Sequence, residues 1–273
     1  MEPPGSACPR RVHRDAPKAT RRVYPGGLTQ ARLGAPEAVF PFGNTGGKSC
    51  AAESGSGICV GVDTVSVTAK VDSFGSGSGL VRSGKLKFDD GSGITGWLNT
   101  EHGYVTLRGS VARWAYGDNR CGVAVPEVPG ALRVLLAHGE ELGWYSLTWP
   151  LRVTLGRLDV CLDSHPESVS GWLLGAYNAL PVTKSLKPSL YGRPPETVNL
   201  LRLRRGRRQS WVIAARFYDK DLQLGGERGD LLRCEVPVGP DRLRSLDQFH
   251  LNEDLVPVVD WVGHQLGRWG VGG

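Results

Sequence analysis

Across much of the chain from Val62 to Val238 the apolar residues recur at every second position. In VDTVSVTAKVD (62–72), Val65, Val67, Ala69 and Val71 fall on one side and Ser66, Thr68 and Lys70 on the other. A period of two belongs to an extended chain, whose successive side chains point to opposite faces, so this stretch is a half-buried strand. HGYVTLRG (102–109), ETVNLLRL (196–203) and LLRCEVPV (231–238) predict further strands. KLKF, DDGSG and ITGWL (85–98) predict a hairpin, and SWVIAARFYDK (210–220) returns as the hairpin partner of 196–203. WPLRVTLGRLDVCLD (149–163) is a strand in which Gly156 marks a bulge.

Helical spacing is confined to a few places. Leu132, Leu135, Leu136 and Leu142 predict a helix over 127–142. PESVSGWLLGAYNAL predicts another from Pro166, with Ser164 as its N-cap. Residues 181–195 read as a proline-studded loop, and the chain from Pro240 as mostly helical, with 256–266 amphipathic. Glycine and proline, 38 and 18 of 273 residues, fit many tight turns and exclude a long helical bundle. The expected fold is α+β: a central antiparallel sheet with helices on one face and the other face open.

Residues 1–57 differ in composition. They are rich in Pro, Gly, Ala and Ser, with 8 Lys and Arg against 4 acids, and predict a disordered basic segment. The structured domain is expected over 58–255, followed by a C-terminal helix and frayed tail over 256–273. FGNTGGKS (42–49) has the wrong spacing for a phosphate-binding loop, and no strand leads into it. The six cysteines form no C-x-x-C pair and are expected as free thiols in a reducing cytoplasm. No apolar run is long enough to span a bilayer, and no apolar leader opens the chain, so no membrane contact is expected. The excess of 33 basic over 27 acidic residues is compatible with a nucleic-acid partner.

Alternation has a chemical consequence in three strands. Leu158, Val160 and Leu162 form an apolar row, and Arg157 and Asp159 point the other way. Leu232, Cys234, Val236 and Val238 leave Arg233 and Glu235 on the opposite side. Trp211, Ile213, Ala215 and Phe217 leave Arg216 and Tyr218 there. If these strands are neighbours, Asp159, Glu235 and Tyr218 converge on one exposed surface among three arginines. Paired carboxylates suit Mg²⁺ or Mn²⁺. A phenol beside such a site suits attack on phosphorus, and arginines suit phosphate oxygens. The same alternation is also what cross-strand salt bridges look like. Five arginines at 202–208 (Arg202, Arg204, Arg205, Arg207 and Arg208) are either a solvated hairpin tip or a contact to a DNA backbone.

Four stretches in order resemble the replication initiators of filamentous bacteriophages, and more distantly those of rolling-circle plasmids. They are VDTVSVTAKVD, LRGSVARWAYGDN (107–119), GRLDVCLD (156–163), and the pair ETVNLLRLRRGRRQSWVIAARFYDKDLQL and LLRCEVPV. Together they cover roughly residues 60–250. The resemblance implies a bacterial cytoplasmic, metal-dependent enzyme. It nicks one strand of an origin through a 5′-phosphotyrosine and later rejoins the displaced strand. It implies Tyr218 and Lys220 as catalytic residues, and Asp159, Glu235 and, four residues from Asp159, Asp163 as ligands of Mg²⁺ or Mn²⁺. Arg157, Arg216, Arg233 and the 202–208 arginines would contact DNA. Origin DNA, single-stranded or supercoiled, is the implied partner, along with the host helicase and polymerase. The chain departs from the family's usual Gly-x-x-Ser-Arg run, having LRLRRGRRQS, and it carries no His-hydrophobe-His motif, with which many single-strand nicking enzymes hold their metal. The rival reading is a DNA-binding protein without chemistry, such as a repressor or a decayed prophage remnant.

Overall fold

In the computed structural model, residues 58–75, 84–87, 93–148, 150–204, 209–226, 229–251 and 254–271 are described. All of them fall in the compact unit Lys48–Gly273. The expectations for residues 1–57, and for Arg205, Arg207 and Arg208, lie outside the described residues.

The alternating stretches become strands. They are β1 (Cys59–Phe74), β2 (Gly84–Lys87), β3 (Thr95–Asn99), β4 (Tyr104–Ser110), β5 (Val123–Ala124) and β6 (Tyr145–Leu147). Then follow β7 (Val153–Ser164), β8 (Leu186–Tyr191), β9 (Thr197–Arg204), β10 (Ser210–Asp219) and β11 (Leu232–Val238). Among the described residues every pairing is antiparallel, in the order β2-β3-β4-β1-β7-β11-β10-β9-β8. The short strands β5 and β6 add to the two ends of β1. The helices are α1 (Val111–Tyr116), α2 (Val128–Glu141), α3 (Val169–Ala179), α4 (Lys220–Gln223), α5 (Pro240–Ser245) and α6 (Val256–Arg268). The α+β class is therefore as expected.

β1 buries Val65, Val67, Ala69 and Val71 as its alternation demands. Gly156 is the expected bulge. β7 has one residue too many between the pairs Ser66↔Arg157 and Val67↔Leu155, which keeps Leu155 and Leu158 on the same face. α2 packs on β1 and β6 and sinks Leu132, Leu135 and Leu136 completely into the core. Each such burial stabilises the fold by roughly 1.5–3 kcal/mol. α3 lays Trp172 against Phe217 of β10, with ring centroids 5.5 Å apart.

Two expectations are corrected. The helix expected to open at Pro166 under a Ser164 cap begins at Val169, capped by Ser168, whose Oγ accepts the Gly171 N–H at 3.1 Å. Ser164 is still paired with Leu232, so the sheet ladder prevails over the capping propensity. The loop expected over 181–195 contains β8, the edge strand. Pro188 is tolerated there because an edge strand has a side with no partner to receive its missing N–H. α1, β5 and β6 were not expected; α1 is capped by Ser110, whose Oγ accepts the Arg113 N–H at 3.1 Å. Among the described residues no helix is long and apolar enough to cross a membrane.

Candidate functional site

The three strands with polar faces are adjacent, in the order β7-β11-β10. Tyr218 lies opposite Arg233, and Arg233 opposite Asp163. One row further, Arg216 lies opposite Glu235, and Glu235 opposite Cys161. Asp159 follows one row beyond, opposite Pro237. Period-two alternation thus brings Tyr218, Arg216, Arg233, Glu235, Asp159, Asp163 and Arg157 to one face of the sheet.

That face is open along Arg157 and Arg216, whose side chains are about a third exposed. It is closed over Arg233. The arginine expected to touch DNA has no exposed surface at all. Its Nε and Nη2 donate to the two carboxylate oxygens of Asp163 at 2.6 and 2.7 Å. Nη1 and Nη2 donate to the carbonyls of Asn119 and Arg120 at 2.9 and 2.6 Å. Asp63 adds a second carboxylate 3.6 Å away. Two carboxylates and two carbonyls offset the cost of burying the guanidinium, whose pKa the Asp163 bonds raise despite the opposing effect of burial. Arg233 is therefore a bracket between β11, β7 and the 117–122 loop, and Asp163 is its counter-ion.

Tyr218 is 3 % exposed and donates its phenolic proton to Glu235 Oε1. Burial, and then the Glu235 charge, push the phenol far above its ordinary pKa. Burial also raises the Glu235 carboxyl, against the opposing effect of the Tyr218 bond. The phenol and the largely buried carboxyl are joined by this one proton at the edge of a cleft. Arg216 stands 4.0 Å from Glu235 Oε2 and donates to Asn199 Oδ1 at 3.3 Å. Lys220 is completely buried at the start of α4, where its Nζ donates to Gln223 Oε1 at 2.9 Å and lies 5.6 Å from the Tyr218 ring centroid. Burial, and then Arg233, lower its pKa. Arg157 grips Asp159 through Nε and Nη2 at 2.6 and 2.8 Å. Burial raises the Asp159 carboxyl, and Arg157 opposes it. A shallow cleft of about 380 Å³ opens beside Tyr218, walled by Tyr191, Thr197, Asn199, Arg216 and Gln223.

Not all the expected residues meet. Arg202 and Arg204 are exposed, but β9 alternation sets them with Val198 and Leu200 on the opposite face from Tyr218. The carboxylates do not fit a resident divalent cation as they stand. Among the described residues no three of His, Cys, Asp and Glu come together as ligands. Asp163 gives both oxygens to Arg233, Asp159 gives both to Arg157, and Glu235 accepts from Tyr218. Sequence reasoning missed Asp63, which accepts the Ser110 hydroxyl and a weak 3.4 Å bond from Asn119 Nδ2. The available signal was a carboxylate flanked by Val60, Val62 and Val65 in the apolar first half of β1.

No protein-family model matches the chain, and no curated protein matches it. Among solved structures it is similar to a rolling circle replication initiator protein from Geobacillus stearothermophilus. The two share 14% identity over 78% of this chain and 86% of that chain, with a TM-score of 0.41.

Proposed function

We propose that this chain is a rolling-circle replication initiator that nicks one DNA strand with Tyr218 and later rejoins it. The observation that carries this reading is the Tyr218–Glu235 hydrogen bond beside a cleft that Arg216 lines. The four-stretch sequence resemblance points to the same residues.

In the proposed step Glu235 takes the phenolic proton as the Tyr218 oxygen bonds to the scissile phosphorus. The bond from phosphorus to the 3′-oxygen breaks, and that oxygen takes a proton from solvent at the mouth of the cleft. The products are a 5′-phosphotyrosine and a free 3′-OH. Arg216 balances charge on the phosphate oxygens. The buried Lys220 holds α4 against the Tyr218 ring. Rejoining is the reverse, with an incoming 3′-OH as nucleophile. Because the phosphoryl link is retained on the tyrosine, no external energy source is needed.

One observation favours the second reading, a DNA-binding protein without chemistry. The phenol is buried, so a phosphate reaches it only if the rim of the cleft opens. A covalent-adduct assay decides between the two. Labelled single-stranded DNA with hairpin flanks is incubated with the protein in Mn²⁺ or in EDTA and run on a denaturing gel, alongside a supercoiled plasmid pool. An SDS-resistant band that disappears in Tyr218→Phe supports the enzyme. Salt-sensitive binding without a band supports the binder. A band that needs Mn²⁺ would mean that a cation enters with the DNA, since the carboxylates are already engaged by Arg157, Arg233 and Tyr218. A band that persists in EDTA leaves charge balance to the arginines.

A further inference from the structure

β10 changes face partway along. Ile213 pairs with Leu201 and Ala215 with Leu200, so β10 carries one residue more than β9 at Ala214. Such a bulge inverts the alternation on one side of it. Ala215 and Phe217 point into the core, but Trp211 and Ile213 are turned onto the face that carries Tyr218. The unbroken apolar row from Trp211 to Phe217 that the sequence suggests is therefore split.

The consequence is an aromatic, cationic strip beside the candidate site. Trp211 is 39 % exposed, and Lys187 Nζ lies 4.4 Å from its ring centroid. Lys187 comes from β8, opposite Leu201, and shares that face. Arg216 and Asn199 lie further along, and at the far end Tyr191, 51 % exposed, walls the cleft with Tyr218. From Thr197 to Leu203 along β9 the strip is roughly 20 Å long.

We propose that this strip binds single-stranded DNA and leads it into the Tyr218 cleft, with an unpaired base stacked on Trp211. The proposal deepens the nicking reading above and rests on it for the choice of ligand. A base offers its π-face to an aromatic ring whatever its sequence, and paired bases hide that face in the duplex. Lys187 and Arg216 lie where the flanking phosphates would run, and their charge complements that backbone. Tyr191 supplies a second ring at the cleft.

The test measures binding of fluorescent oligo-dT to the full chain by anisotropy. Wild type is compared with Trp211→Ala, Trp211→Phe and Trp97→Ala, each checked for a native circular dichroism spectrum. Trp97 is an exposed tryptophan of β3, on the far wing of the sheet. Trp211→Ala should weaken binding about 10-fold, and Trp211→Phe should retain most of the affinity because it keeps a stacking ring. Trp97→Ala should bind as wild type, and duplex binding should not change in any variant. Unchanged oligo-dT affinity in Trp211→Ala overturns the platform, as does an equal loss in Trp97→Ala or on duplex. Tighter binding of oligo-rU than oligo-dT overturns DNA as the ligand. The adduct assay with Tyr218→Phe separates the two readings. A band with normal Trp211→Ala binding leaves the enzyme without this platform. No band with weakened Trp211→Ala binding leaves the platform without the enzyme.

Discussion

Tyr218 and Glu235 are diagonal neighbours across β10 and β11, not a directly opposed pair, and the phenol spans that diagonal to donate to the carboxylate. The directly opposed residues are arginines: Arg233 faces Tyr218 and Arg216 faces Glu235. An acid–phenol pair thus sits between one buried and one half-exposed guanidinium.

Removing the phenolic oxygen tests the pair. Tyr218→Phe leaves Glu235 without its donor in a buried place, at a cost of about 1–3 kcal/mol. The variant should still fold and bind oligo-dT, and its covalent adduct should be lost. Urea denaturation and a denaturing gel read the two effects separately.

The pH dependence follows from Glu235. A base must be ionised to take a proton, and burial holds this carboxyl above the ordinary glutamate value of about 4.3. The adduct rate should therefore fall on acidification with a midpoint above that value. Glu235→Gln should slow the reaction at least about 100-fold and remove this acid limb. The stability effect has the opposite sense. A raised folded pKa means that the native state binds more protons than the unfolded chain between the two values. The Glu235 contribution to stability is thus complete at low pH and is lost as pH rises through that window. Glu235→Gln should flatten this part of a stability–pH curve.

The two arginines that face the pair should separate stability from binding. Arg233→Met strands Asp163 and Asp63 as buried charges and should cost about 3–5 kcal/mol. Adding Asp163→Leu should recover part of the loss in a double-mutant cycle. Arg216→Ala should leave the urea midpoint near wild type. Its signature is a slope of log affinity against log salt for single-stranded DNA that is shallower by about 0.7.

Closure over Arg233 depends on a close backbone approach. A Cβ on Gly122 would meet Cys161 Sγ at 2.5 Å and the Val62 nitrogen at 3.0 Å. Gly122→Ala should lift the 117–122 loop from the sheet and cost about 1–3 kcal/mol. Slower amide exchange at Asn119 and Arg120 in the variant than in wild type would contradict this account.

The strand-rich α+β class, the bulge at Gly156 and the side of each strand on which Asp159, Glu235, Arg233 and Tyr218 lie were all legible in the order of the residues. These are consequences of a local period of two, which needs no knowledge of neighbours. What that polar face became depended on contacts between segments far apart in the chain. That β7, β11 and β10 are adjacent is a matter of long-range pairing, which no local pattern contains. The bulge at Ala214 has no glycine to mark it, so Trp211 read as core until the β9 register turned it outward. Arg233 and Arg216 look alike in the strand patterns. The first is buried because the loop bearing Asn119 and Arg120, distant in sequence, folds over it and supplies two carbonyls.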